Sequence, residues 1–520
     1  MKLPVLFAIA LAFCAERMPA QTPAAITNRA AARLLDQAAW GPTPASIAQL
    51  AQAGIASWLN QQFSLNTSDL PDQPVLASNG QPNRDLTPIQ AAFFQNAVTG
   101  QDQLRQRVAF ALSQMWVVSS VSTSNAYAFP PYWRLFRDNA FGNYRDIMKA
   151  LTLSPAMGNY LNMANNNKGN AAHTTSANEN YARELMQLFT VGLTQLNPDG
   201  SAVLDSNHNP IPTYDQSVVT NTARALTGWT YPTAPGATAK SNNPAYYFGQ
   251  MLAVEAEHDT TSKSIIGGVT IPAGQTAEQD LDSLLDALMA QNTMAPFVCR
   301  QLIQHLVTSN PSPAYIERVS NVFLNNGSGV RGDMKSVITA ILTDPEARAG
   351  DDPDAAPNAS FGHLREPVLF MANLLRGLNA TLGSSSTVYN NAANLGENLF
   401  TPPTVFSYFS PLYTLENGEA APEFQIYSEQ TATNRADVVN TILYGALDKS
   451  TTIGLAPFQP SGNDLSLMVN YIGYVFLHDA MSNGLQQAAI GAASAATGTK
   501  AQAQAALYVV LTSSEYQIVQ

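Results

Sequence analysis

Apolar residues recur at helical spacing along almost the whole chain, and this periodicity constrains the fold more than any other feature. Leucines at 281, 284, 285 and 288, for example, fall on one face of a helix, the stripe that a helix buries against its neighbours. Helix-start signals punctuate the pattern. Thr43-Pro44 supplies an N-cap with proline at the first helical position, Ser176-Ala-Asn-Glu179 reads as a capping box, and Thr213 with Gln216 reads as another. Periodicity and caps together predict helices over 28–40, 44–63, 88–119, 176–192, 213–227, 276–290, 294–307, 435–447, 464–478, 485–496 and 501–512. Two segments lack the period: 232–272, with Tyr246, Tyr247 and Phe248 among glycines and prolines, and 379–430, rich in Pro, Asn and aromatic residues. The fold class expected is mainly α: a large multi-helix globular array with long irregular, aromatic-rich loops and at most a small β-hairpin. It divides into a leader (1–20), an N-terminal helical region (21–150), a central helical core (151–350) and a C-terminal helical region (351–520) that carries the 379–430 loop.

With 45% hydrophobic residues in 520, the chain can bury a large core, while only 12% of residues are charged, so its surface is polar rather than ionic. A net charge of −12 and the lack of any Lys/Arg cluster argue against nucleic acid as a partner, because phosphate recognition needs clustered cations. Lys2, the apolar run from Leu3 to Ala15 and the small Ala20 read as an export signal, and the run is too short to span a bilayer. An exported chain, periplasmic or extracellular, is expected. A lipid anchor on Cys14 is disfavoured by the bulky Phe13 before it. Cys299 is then the single thiol of the mature chain, so no internal disulfide can form. Its apolar setting suits a small core residue, with a catalytic thiol as the sharper alternative.

The longest distinctive run is Asn178-Glu-Asn-Tyr-Ala-Arg-Glu-Leu-Met-Gln-Leu-Phe-Thr-Val-Gly192, followed by Ala223-Arg-Ala-Leu-Thr-Gly-Trp229. Further runs are Arg33-Leu-Leu35, Gly41-Pro-Thr-Pro44, His258-Asp259 with Lys263 and Gly267, Phe297 to Val307, Ile341-Leu-Thr-Asp-Pro-Glu-Ala-Arg348, Leu364-Arg-Glu-Pro-Val368, Pro403 to Tyr413, Ala421-Pro-Glu-Phe-Gln-Ile426 and Ser514-Glu-Tyr-Gln517. In these runs the chain resembles the bacterial family known as domain of unknown function 1800. It departs from that pattern in the long, Asn-rich 164–177 stretch containing His173. The resemblance implies an exported, predominantly helical protein that acts with a sulfatase-like exported partner or on a complex polymer such as a glycan. It transfers no catalytic residue and no cofactor.

Three residues are candidates for chemistry: Glu184, His258 and Asp259. Glu179 and Arg183 share a helix face, while Glu184 points elsewhere, either toward a cation such as Arg224 or Arg365 or as a buried acid or metal ligand. His258-Asp259, in an irregular segment, could supply a base with its orienting carboxylate or two metal ligands; a histidine that only caps a loop is the plainer alternative. His305 reads as a core histidine on the Val298–Leu302 stripe. No nucleophile elbow and no phosphate- or dinucleotide-binding glycine motif occurs. Two functions remain open. One is a binding or assembly protein presenting Trp229, Tyr231, Tyr246, Tyr247, Phe406, Tyr408 and Tyr413 from its loops. The other is a secreted hydrolase or lyase using Glu184, His258 and Asp259, with or without a metal.

Overall fold

The computed structural model describes residues 25–170, 175–354, 360–383, 387–445, 447–448, 450–462 and 464–519. The export-like segment and His173 lie outside the described residues. Among them are 22 α-helices and three two-stranded antiparallel sheets, so the chain is mainly α. One contiguous apolar core runs from the first helix, Asn28–Ala38, to Tyr516 near the end. Cys299 is a buried member of that core, and burial pushes its thiol pKa up, which keeps it an unreactive thiol.

Local signals placed many helices to within a residue or two. Thr43 caps Pro44–Ala53 in a box with Ser46, and Thr276 caps Ala277–Met289 in a box with Gln279. Two predicted long helices are broken. The 44–63 segment splits at Gly54 into Pro44–Ala53 and Ile55–Ser64. The 88–119 segment splits into Thr87–Thr99 and Gln103–Met115, because the buried Asp102 carboxylate turns to accept from the backbone amides of Thr67 and Ser68 (3.0 Å each) and anchors the preceding loop. The 379–430 stretch is not wholly irregular: it holds the helix Thr387–Asn394 and a 3-10 turn, Pro422–Ile426. The 232–272 insertion contains one tight hairpin, Lys263–Ser264 with Thr270–Ile271. A second ladder, Trp229–Thr230 with Leu252–Ala253, closes its start.

Two buried polar clusters tie distant segments together. In the first, Arg365 donates from both terminal nitrogens to Asp36 (2.6 and 2.9 Å), Asn373 donates to the same carboxylate (2.7 Å), and His478 Nε2 lies 3.2 Å from it. Tyr516 donates to Asn373 (2.9 Å) and stacks under the Arg365 guanidinium. Next to this cluster, His363–Leu364 pairs with Ile518–Val519, so the first helix, the 363–366 segment and the C-terminus meet at one place. In the second cluster, the fully buried Arg107 donates to the His305 carbonyl and faces Glu366 and Glu397. Gln114 donates to Glu366 (2.9 Å), and Glu397 accepts from the Val368 amide (2.7 Å). Burial raises the pKa of both glutamates, and the neighbouring Glu366 pushes that of Glu397 further, well above the carboxylate range.

Burial alone would raise the Asp36 pKa, but Arg365 and His478 outweigh it and hold the carboxyl far below its ordinary value. A depressed folded pKa contributes stability above the unfolded value of about 3.9 and loses it as pH falls toward the folded one. Asp36→Asn should therefore cost about 3–5 kcal/mol at neutral pH, because it leaves Arg365 buried and uncompensated. It should also flatten the loss of stability that urea titrations of the native protein show below about pH 5. The glutamate pair has the opposite sign. Its raised folded pKa contributes stability below the unfolded value of about 4.3 that drains away as pH rises above it. Glu397→Gln should flatten that upper limb and leave the protein at least as stable as the wild type at pH 7, measured by the same titrations.

Candidate functional site

The Asn178–Gly192 motif folds as a short α-helical stretch, Asn180–Glu184, that widens into a π-helical turn, Leu185–Thr190. The amides of Val191 and Gly192 both reach back to the Met186 carbonyl (3.0 and 2.9 Å), and Thr190 Oγ1 donates to the Leu185 carbonyl (2.6 Å). Such widened turns insert a residue into the helix and re-aim its side chains, and they recur at functional sites. The capping box expected at Ser176 does not form. Glu179 is itself the N-cap residue, and its carboxylate accepts from Gln216 (2.8 Å), Thr220 (2.8 Å) and Arg183 (3.1 Å), so partners on the following helix, Gln216–Ala225, claim it. That helix begins after Asp215 rather than at Thr213.

Glu184 is half-buried near Tyr160 and Tyr214, and burial raises its pKa against the pull of Arg183. Neither expected cation reaches it: Arg224 is held by Asp259 and Arg365 by Asp36. Among the described residues it has no hydrogen bond or ion pair, and neither His258 nor Asp259 touches it in that way. His258 is fully buried. Its Nδ1 meets the Thr227 carbonyl (2.9 Å), and its Nε2 meets Asp280 (3.1 Å), which Lys263 also contacts (2.7 Å). Asp259 accepts from Arg224 (2.8 Å) and from the Thr261 amide (2.9 Å), contacts that hold its pKa far below the carboxylate range. The Ala223–Trp229 and His258–Lys263 runs thus form one structural joint. Gly228, at φ 83°, sits where a Cβ would come within 2.9 Å of the His258 side chain. Among the described residues no three His, Cys, Asp or Glu side chains are grouped to hold a metal ion.

A different set of residues lines a cleft with a volume of about 390 Å³, within the range of roughly 300–1,000 Å³ usual for small-molecule sites. Gln187, Leu188, Gly192 and Leu193 from the π turn and its exit form one wall. The Met294–Leu306 helix forms a second through Phe297, Arg300, Gln301, Gln304 and His305. The 405–412 segment and Pro422–Glu423 close the third. Gly192, at φ 71°, lets this corner pack against Phe297, whose ring a Cβ would meet at 2.8 Å. Leu193, Phe406 and Leu412 line the cleft and are also exposed, at 58%, 36% and 76%, so its mouth is apolar and open to solvent. Burial and the nearby Arg107 push the His305 pKa down to about 3, so it borders the cleft as a neutral imidazole rather than lying wholly in the core. Gln114 joins this cleft to the glutamate pair behind it.

The aromatic residues expected on the loops mostly turn inward: Trp229, Tyr231, Tyr247 and Tyr408 are buried, Tyr246 and Tyr413 half-buried, and only Phe406 is exposed. Sequence reasoning missed Arg300, Gln301 and Gln304 as site residues. Their signal was available, since positions 297, 300, 301, 304 and 305 share one helix face that is aromatic and polar where a core face would be aliphatic.

No curated protein and no solved structure matches the chain. The family described as "Protein of unknown function (DUF1800)" matches residues 33–518, a span that holds both buried clusters and every wall of the cleft. The chain belongs to the DUF1800 family.

Proposed function

We propose that this is an exported binding protein whose cleft, between the π turn of its motif and the Met294–Leu306 helix, receives an apolar ligand. The observation that carries the reading is the continuity of that cleft with exposed Leu193, Phe406 and Leu412, apolar surface that a soluble protein ordinarily keeps covered. The signal-like residues 1–20 support export, and no helix among the described residues is long and apolar enough to cross a membrane. A glycan, one of the partners the family resemblance implies, presents mainly hydroxyls and suits these walls poorly. The sulfatase-like partner rests on the resemblance alone. A hydrolase or lyase using Glu184, His258 and Asp259 has less support, because His258 and Asp259 are each spent on structural contacts. Glu184 alone keeps the half-buried, raised-pKa character of an acid.

A neutral apolar dye, Nile red, tests the reading. The mature protein should bind it with enhanced, blue-shifted emission. Leu188→Trp, which fills the cleft from its π-turn wall, should weaken binding about tenfold or more, equivalent to some 1.4 kcal/mol of apolar contact, with unchanged circular dichroism. Absence of binding by the wild type, or equal binding by the variant, would rule out the cleft as the site.

A further inference from the structure

Arg300 is the one cation among the residues lining the cleft, and it makes no ion pair, hydrogen bond or ring contact with any described residue. Other half-buried or buried arginines are engaged: Arg33 by Asp351, Arg145 by Asp282 and Asp286, Arg224 by Asp259, Arg365 by Asp36. Burial alone shifts the Arg300 pKa, downward, which marks a guanidinium that has lost water without gaining an anion. The single carboxylate on the lining, Glu423, is occupied elsewhere, accepting from Ser309 (3.2 Å) and lying 3.3 Å from His363. The neutral His305 adds no second positive charge. One unpaired guanidinium suits a monoanion, since a dianion would keep an uncompensated charge in apolar surroundings. The planar fork of arginine matches a carboxylate with two parallel hydrogen bonds.

From this arrangement we infer that the cleft binds an amphipathic monocarboxylate, with its carboxylate on Arg300 and its apolar body against Leu188, Leu193, Phe297 and Phe406. The inference rests on the reading of the cleft as an apolar binding site and names the ligand class. Charge-assisted hydrogen bonds of this kind are worth about a tenfold to a hundredfold in affinity.

Calorimetric titration of the mature protein with octanoate and with octan-1-ol at pH 7 tests it. The wild type should bind octanoate at least about tenfold more tightly than octan-1-ol. Arg300→Met should bind octan-1-ol undiminished and lose the preference, while Arg300→Lys, which keeps the charge but not the fork, should retain part of it. Equal affinity of the wild type for the two ligands, or a preference that survives in Arg300→Met, would overturn the inference and leave the apolar cleft standing. Failure of the wild type to bind either ligand while it binds Nile red would also overturn the inference alone; failure with all three would remove the cleft reading as well.

Discussion

The bidentate pair between Arg365 and Asp36 is the constraint on which the remainder of the structure depends. It is fully buried, and it joins the first helix of the chain to the segment leading into Pro367–Gly377, while Tyr516 under the guanidinium brings in the C-terminus. Cys299 is the one cysteine among the described residues, so no disulfide joins distant segments there and some other device must specify which of them meet. Apolar burial is strong but indiscriminate, whereas a forked donor on a carboxylate fixes position and direction. Three of the runs that carry the family resemblance meet here: Asp36 follows Arg33-Leu-Leu35, Arg365 lies in Leu364–Val368, and Tyr516 lies in Ser514–Gln517.

The second buried cluster connects that frame to the cleft. Arg107, held by the His305 carbonyl, neutralises part of the charge on Glu366 and Glu397, and Gln114 bridges from Glu366 to the cleft wall. The cleft is therefore tied by buried hydrogen bonds to helices as well as lined by loops. Its three walls come from the π turn, the Met294–Leu306 helix and the 405–412 segment, which lie far apart in the chain.

What could be read from the residues themselves was local. The caps at Thr43 and Thr276, the helix face at 281–288 and the i, i+4 pair Glu179–Arg183 all depend on neighbours within one or two turns, and all are present. Features decided by distant partners went unread. Asp102 breaks a predicted helix because it answers to Thr67 and Ser68, Glu179 fails to complete a box because Gln216 and Thr220 take its carboxylate, and the π turn has no spacing signature at all. His258 and Asp259 stood out as chemically capable residues, yet their capacity is used to bolt the Ala223–Trp229 run to the insertion. Arg300 was not singled out as a site residue because what sets it apart is a missing partner, which only the assembled walls can reveal.

What occupies the cleft beside Arg300 decides what the cleft is for, and a crystal structure of the mature protein grown with octanoate addresses that directly. The carboxylate should lie within hydrogen-bonding distance of the Arg300 guanidinium, with the alkyl chain running along Leu188 and Phe297. Octanoate bound elsewhere on the protein while the cleft stays empty, or seated in the cleft with its carboxylate turned away from Arg300, would contradict it.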